Sequence, residues 1–312
     1  MGRFVTAALA WAALAFAARA EVRLDLGGFI DADGAVAVQH AGDTVDPYFA
    51  LQAFLLAHDN GLDARADARR WARWLLPRQK PDATFDRFCR RGPVWAPCKT
   101  ADADDALHAL WLRFLRAFPM ETSADGRWRK SAAASAASLA RLLQPAAGYY
   151  WASPVVPHGL YLDNLEVWTL DRSPALARSI HAAFWDAGER RFRVSTQLEH
   201  GGAPRAFYPD AVAQLFALAV GFPHLPADAT TYHRDWMRRH RGEWLRQVRT
   251  DFAWGLVAVV ALRHGDRAAA ACWLREALPF RHGPHWTVTD EVSRQVLLAR
   301  GVAAAGASED CA

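Results

Sequence analysis

A chain of 312 residues, 52% of them hydrophobic, is long enough to bury a large core. Its formal charge of +4, from 37 Lys and Arg against 33 Asp and Glu, is too small and too scattered to support a nucleic-acid partner. Beyond the first twenty residues no apolar stretch approaches the roughly twenty residues that a membrane span requires.

The N-terminal segment reads as an export signal. Arg3 supplies a positive start, Phe4 to Ala18 is apolar without an acid, and Ala18-Arg19-Ala20 offers small residues before Glu21. The expectation is a signal peptide over 1–20, one domain over 21–312, a periplasmic or secreted location, and no membrane contact after cleavage. In an exported chain cysteines can pair, and the short loop between Cys89 and Cys98 predicts a disulfide there. Cys272 falls in a helical pattern and Cys311 in the tail, which leaves their pairing open.

Phe29 to Val38, with Asp33-Gly34 at its centre, predicts a small turn or hairpin, without the further ligands a calcium loop would need. From there on the periodicity is helical and alternates between two kinds. Helices apolar around most of their circumference are predicted at Tyr48 to Ala57, Ala106 to Phe118, Leu162 to Leu170, Ala211 to Val220, Phe252 to Leu262 and Val292 to Ala299. Amphipathic helices are predicted between them at Ala64 to Leu76, Trp128 to Leu143, Pro174 to Trp185, Thr231 to Val248 and Arg267 to Leu278. Turn residues separate them, among them Asn60-Gly61, Gly148, Gly188, His264-Gly265 and Gly283-Pro284. Six inner and five outer helices predict an all-α fold, an (α/α)6-type toroid of helical hairpins without its sixth outer helix; a stacked helical solenoid is the rival arrangement.

Each inner helix begins with acid: Asp46; Asp102, Asp104 and Asp105; Asp163 and Glu166; Asp210; Asp251; Asp290 and Glu291. Any one of these can be an N-cap, which accepts a backbone N–H and favours the helix dipole by roughly 0.5–2 kcal/mol. In a ring of hairpins, however, the inner helices run in the same direction, so their starts gather on one face and line a cleft with carboxylates. Trp95, Trp151 and Trp286 fall in connections, with Tyr149 and Tyr150 beside Trp151, where rings could stack on sugars. No phosphate loop, dinucleotide fingerprint, zinc-protease motif or nucleophile elbow is present, and no metal or cofactor is expected. His282 and His285 read as loop histidines. A lyase on the same ring would draw on Tyr161, Asn164 and His158.

The order of these segments resembles glycoside hydrolase family eight, in particular periplasmic endoglucanases associated with cellulose synthesis. Phe29 to Val38 is similar to the family's early Asp-Gly segment, and Asp46-Pro47-Tyr48 through Ala57-His58-Asp59-Asn60 to its Ser-Glu-Gly start and following helix. Asp102-Ala103-Asp104 resembles its Asp-Ala-Asp opening, Tyr161-Leu162 a Ser-Tyr-Leu segment, and Phe207 to Val212 a Ser-Tyr-Asp-Ala-Ile-Arg segment. The resemblance implies an inverting glycosidase with Asp46 as general acid, Asp210 as base, and Asp104 holding the central sugar; Asp102, Trp95, Trp151, Tyr48, Tyr161 and Asp163 complete the expected substrate contacts. It also implies a polysaccharide or oligosaccharide substrate, with synthesis or export machinery as a further partner. The sequence departs from the family where Asp46 replaces Glu and where Ala213-Gln214 replaces an Arg. Because a helix start favours a charged carboxylate, whereas a general acid needs its protonated form favoured, Asp46 itself reads more readily as a cap or base. A catalytically inactive glycan-binding or polysaccharide-export accessory protein is the alternative on the same scaffold.

Overall fold

The computed structural model describes residues 22–100, 103–119, 126–197, 205–306 and 311; the proposed signal segment and Asp102 lie outside them. The inner helices are α1 (Pro47–Asp59), α3 (Asp104–Ala117), α5 (Tyr161–Trp168), α7 (Val212–Val220), α9 (Gly255–Arg263) and α11 (Val288–Ala299). The outer helices are α2 (Arg65–Leu75), α4 (Arg127–Leu142), α6 (Pro174–Phe184), α8 (Ala229–Gln247) and α10 (Arg267–Ala277). Each inner helix packs on the next, and α11 packs back on α1, so the ring is closed. That closure is what distinguishes a toroid from a solenoid.

Local chemistry sets the helix boundaries. Asp46 caps α1 with Pro47 following it, Ser173 caps α6 ahead of Pro174, and Thr287 with Asp290 forms a reciprocal capping box on α11. The outer helices turn an apolar stripe inward, and indoles fill the wide space between the layers: Trp71, Trp111, Trp236, Trp244 and Trp273 are all fully buried. Most of these indole N–H groups find partners across the layers, such as Ser131 for Trp111 and the Ala211 carbonyl for Trp236.

Among the described residues no helix covers the outside of α11. The N-terminal segment lies there instead: Asp25 exchanges two hydrogen bonds with Gln295, and Val288 N–H donates to the Val38 carbonyl. Further along, Arg70 of α2 donates to the Asp31 carbonyl, so this segment bridges the first and last hairpins. The Phe29 to Val38 turn forms as expected, closed by three backbone N–H groups donating to Asp31. Residues Asp86–Arg91 and Val94–Thr100 form an antiparallel hairpin stapled by Cys89–Cys98, and its first strand pairs with Thr44–Val45 immediately before Asp46. Cys272 of α10 bonds Cys311, which pins the C-terminal tail. Among the described residues no helix is long and apolar enough to cross a membrane.

The two ends of the ring differ. At the C-terminal ends of the inner helices, arginines donate to terminal carbonyls: Arg116 to Leu170, Arg263 to Ala219, and Arg300 to Asn60. Cations there complement the negative ends of the helix dipoles, and the cavity inside this collar is only about 60 Å³. The other end, where the inner helices begin, is open. Packing around it is tight: a Cβ added at Gly255 would lie 2.6 Å from Ser293 Cβ and 2.8 Å from the Trp273 ring. Gly255→Ala is therefore expected to cost about 1–3 kcal/mol through overpacking, read as a fall of several degrees in the thermal midpoint.

Candidate active site

All six inner-helix starts contribute to one cavity of about 440 Å³. Asp46 and Tyr48 come from α1, Ala103 and Leu107 from α3, and Leu160 and Asp163 from α5. Tyr208 and Val212 come from α7 and the wide turn before it, Asp251, Phe252, Trp254 and Gly255 from α9 and its approach, and Thr287, Thr289 and Asp290 from α11. This size, a largely apolar wall and a few convergent polar groups are what small-ligand sites share.

Four carboxyls line the cavity, and their surroundings separate their roles. Asp290 is fully engaged: Gly255 N–H donates to one oxygen at 2.7 Å, and the Thr287 N–H and hydroxyl donate to the other at 3.0 and 2.6 Å. Burial pushes it upward, but these bonds hold it as a brace between α9 and α11. Asp46 accepts from Tyr48 N–H at 3.0 Å and lies 2.7 Å from the Arg87 guanidinium, brought in by the stapled hairpin. Asp251, half-buried, accepts from Phe252 N–H at 2.8 Å. Asp163 is different. It is buried in the wall, one of its oxygens has no hydrogen-bond partner among the described residues, and burial pushes its carboxyl up to about 7.

Behind Asp163 lie two more carboxyls. Glu166, one turn along α5, accepts from the Tyr48 hydroxyl at 2.8 Å and from Gln52; Asp105 of α3 is fully buried. Both are raised well above the usual carboxylate range, first by burial and then by the charge of Asp163. Each keeps one buried oxygen without a partner among the described residues. Three like groups in a dry interior cannot all ionise, so the cluster keeps protons at neutral pH.

Aromatic rings form part of the cavity wall. Tyr208 stacks on Trp254 with centroids 5.2 Å apart and planes at 22°, and Phe252 packs edge-on against Trp254 and Phe49.

Of the expected catalytic and substrate-contact residues the structure brings Asp46, Tyr48 and Asp163 together, beside the helix-start acids Asp251 and Asp290. The other described ones lie outside the cavity lining. Asp210 is ion-paired with Arg191 at 3.0 Å and accepts from Ala206 N–H, outside the cavity lining. Asp104 is half-buried, its carboxyl raised by burial against the opposing charge of Lys80; its backbone N–H donates to Ala152, and only its neighbours Ala103 and Leu107 reach the cavity. Trp95 is 7% exposed because its indole N–H donates to Asp31 and the Arg90 guanidinium covers its ring. Tyr161 points into the α5–α6 layer, where it is fully buried and stacks on Phe192 at 4.6 Å. Trp286 is likewise buried, stacked on Trp273. Trp151 is half-buried in the connection between α4 and α5, its backbone N–H donating to the Leu142 carbonyl. Sequence reasoning missed Arg87, Gln52, Phe252 and Trp254; for Trp254 the short polar stretch Arg249-Thr250-Asp251 just before it was the available clue.

No protein-family model matches the chain, and no curated protein matches it. Among solved structures, endoglucanase Cel10, a family 8 glycosyl hydrolase from Klebsiella pneumoniae, is similar at 18% identity and a TM-score of 0.49, over 88% of this chain and 96% of that one. The GH63 mannosylglycerate hydrolase from Thermus thermophilus, solved in complex with glucose, is similar at 12% identity and a TM-score of 0.46, over 86% of this chain and 96% of that one. At these identities neither likeness carries residue roles to this chain.

Proposed function

We propose that this protein is a glycoside hydrolase that cleaves a polysaccharide or oligosaccharide in the cavity at the inner-helix starts. The observation that carries this reading is the contrast between two carboxyls in one cavity: Asp163, raised to about 7 by burial, and Asp46, ion-paired with Arg87. Glycoside hydrolysis needs one carboxylic acid to protonate the leaving oxygen and one carboxylate to act on the anomeric side. Asp163 supplies the first. Asp46 supplies the second, as the base that activates water. The two residues come from α1 and α5 and line one cavity; inversion at the anomeric carbon is part of the proposal, and it requires the two carboxyls to leave room for a water.

The roles differ from those the family resemblance implied. Asp46 is the base and not the acid, and Asp210, tied to Arg191, takes no part in the chemistry. An endo mode on a bacterial polysaccharide, in an exported protein working beside synthesis or export machinery, completes the proposal; the two disulfides support an oxidising compartment.

The test is release of reducing ends from a panel of β-linked glucans, with product anomers followed by NMR. Asp46→Asn is expected to lower kcat by about 10²–10⁴-fold, the usual contribution of a positioned acid or base, while Asp210→Asn retains activity. Full loss in Asp210→Asn with activity kept in Asp46→Asn would reverse the assignment. A binding protein without turnover is favoured by one observation, the ion pair that engages an Asp46 oxygen. Binding of the same glucans with no release of reducing ends would establish it.

A further inference from the structure

The formal charge of the chain is small, but the fold gathers it on one helix. Ala229 to Arg249, which is α8 and the two residues after it, carries six arginines against Asp235 and Glu243, a net charge of +4 that equals that of the whole chain. At 19 residues α8 is the longest of the described helices, and it turns Tyr232, Trp236, Met237, Trp244 and Leu245 into the ring. Arg234, Arg238, Arg239, Arg246 and Arg249 are left exposed on the outside.

With Gly242 between them, Arg234, Arg238, Arg246 and Arg249 follow one another at steps of three or four residues, so they form a single row along the helix. At 1.5 Å per residue the row is about 22 Å long. A glycine inside a helix weakens it, and here it makes room: a Cβ at Gly242 would lie 3.3 Å from Arg246 Nη1, so that guanidinium lies back over the glycine, within the row. Few carboxylates answer these cations. Asp235 pairs with Arg238 at 3.2 Å, Glu276 pairs with Arg249 at 3.3 Å, and Glu243 lies 4.0 Å from His240. Arg234 donates to the Thr231 hydroxyl and Arg239 to the Asp235 carbonyl; neither they nor Arg246 has a carboxylate partner among the described residues. On α2, by contrast, Arg65 and Arg70 are paired with Asp63 and Asp67. Like charges one turn apart destabilise a helix, so the row costs α8 stability.

We propose that this row is a docking strip for an acidic polysaccharide, a linear glycan that carries carboxylates along its length. Guanidinium groups bind carboxylates through paired, charge-assisted hydrogen bonds, and cations repeated at each turn of a helix match a polymer with repeated charges better than a compact anion. The exposed large hydrophobic residues all lie away from α8, so the strip lacks the apolar face by which helices enter a lipid surface. The two disulfides support an oxidising compartment, which disfavours nucleic acid as the polyanion. The strip ends at Arg249, two residues before Asp251 in the cavity wall, so a chain lying on it is led toward the mouth. The strip itself does not depend on the cavity being a site of hydrolysis.

The experiment is titration of the full chain with polygalacturonate, with cellohexaose as the neutral control, at low and at high salt. Polygalacturonate is expected to bind at low salt and to be released as salt screens the charges. The double variant Arg238→Gln, Arg246→Gln is expected to weaken that binding by about 30-fold, each arginine near an anionic surface being a factor of about five. Gly242→Glu sets a carboxylate in the middle of the row and should weaken it by about 10-fold or more. Because Glu is a better helix former than Gly, this variant should melt at or above the parent, which separates lost binding from lost fold. Cellohexaose binding and glucan cleavage belong to the cavity and should not change in either variant. No binding of polygalacturonate by the parent, unchanged affinity in the folded variants, or binding insensitive to salt overturns the strip. Tighter binding of phosphatidylglycerol vesicles or of duplex DNA than of polygalacturonate overturns it as well, by assigning the row to another polyanion. Binding that needs the row, in a protein that cleaves no glucan, retains the strip and removes the hydrolase; glucan cleavage without binding of polygalacturonate does the reverse.

Discussion

Asp163→Asn is expected to abolish hydrolysis, with kcat lowered by about 10²–10⁴-fold and saccharide binding retained. The amide keeps the shape of the side chain and removes the proton it must deliver. In the parent protein the same residue should govern the high-pH limb of the activity profile. A carboxyl raised to about 7 is protonated below that pH and charged above it, so kcat/KM should fall as pH rises through about 7. Steady-state kinetics between pH 5 and 9 on a cleaved glucan check both statements. A pH-independent rate across neutrality, or an active Asn variant, would remove Asp163 from the role of acid and leave the cavity without a group suited to it.

A second large effect is expected on stability. Asp105, Asp163 and Glu166 all have folded-state pKa values raised by burial, so between their unfolded values and their folded ones the native protein binds protons that the unfolded chain has released. Stability then falls as pH rises, by about 1.4 kcal/mol per pH unit for each carboxyl still protonated in the fold. His108 works in the opposite sense: burial lowers it to about 4, so its contribution is present above the unfolded value near 6.5 and is lost as pH falls toward 4. The two together predict a midpoint that rises as pH is lowered from 8 and goes on rising, less steeply, below about 6.5, where one histidine opposes three carboxyls, until the unfolded carboxylate values of about 4 are reached. Glu166→Gln keeps an acceptor for the Tyr48 hydroxyl while removing one of the protons, and should raise stability at pH 8 and flatten its fall with rising pH. Thermal or urea unfolding across this range is the measurement. A curve equally steep in the variant would mean that Glu166 is ionised in the native state.

These two effects share a cause. The same desolvation that would suit Asp163 to donate a proton in the proposed hydrolysis makes the carboxyl cluster a burden on the fold at alkaline pH, and stability given up at a functional site is a common trade. Asp290 shows the contrast. Equally buried, it has both oxygens engaged by Thr287 and Gly255, and so contributes to architecture by tying the start of α9 to that of α11. Glu291 shows a third outcome: burial alone would raise it, but hydrogen bonds from Arg294 and Arg281 bring it below its usual value.

Much of the ring could be read in advance because its determinants are local. Periodicity separated all-round apolar helices from striped ones, caps and prolines marked their starts, and the alternation of the two kinds implied that the starts would face one way. The Cys89–Cys98 bridge followed from a short loop, since two cysteines nine residues apart on one hairpin are held near each other by the chain itself. The missing sixth outer helix was also visible, though not the use of the N-terminal segment to cover α11, because extended chain carries no periodic mark of where it will lie.

What the chain by itself determined, then, is which residues start the inner helices and that most of those starts are acidic; what only the tertiary structure decided is which of those acids are paired, which are braced and which is buried with an oxygen unpartnered among the described residues. Asp46, Asp163, Asp210 and Asp290 all look alike as helix-start acids. Their differences arise from neighbours far away in the chain: Arg87 on a hairpin, Arg191 on another connection, Gly255 from the adjacent helix, and for Asp163 a dry interior with one oxygen left unpartnered. Desolvation and ion pairing depend on the full set of surrounding atoms, and no local pattern encodes that set. The same holds for Trp254, whose left-handed backbone is flanked by hydrogen bonds from Trp244, Trp273 and Asp290 on three other helices.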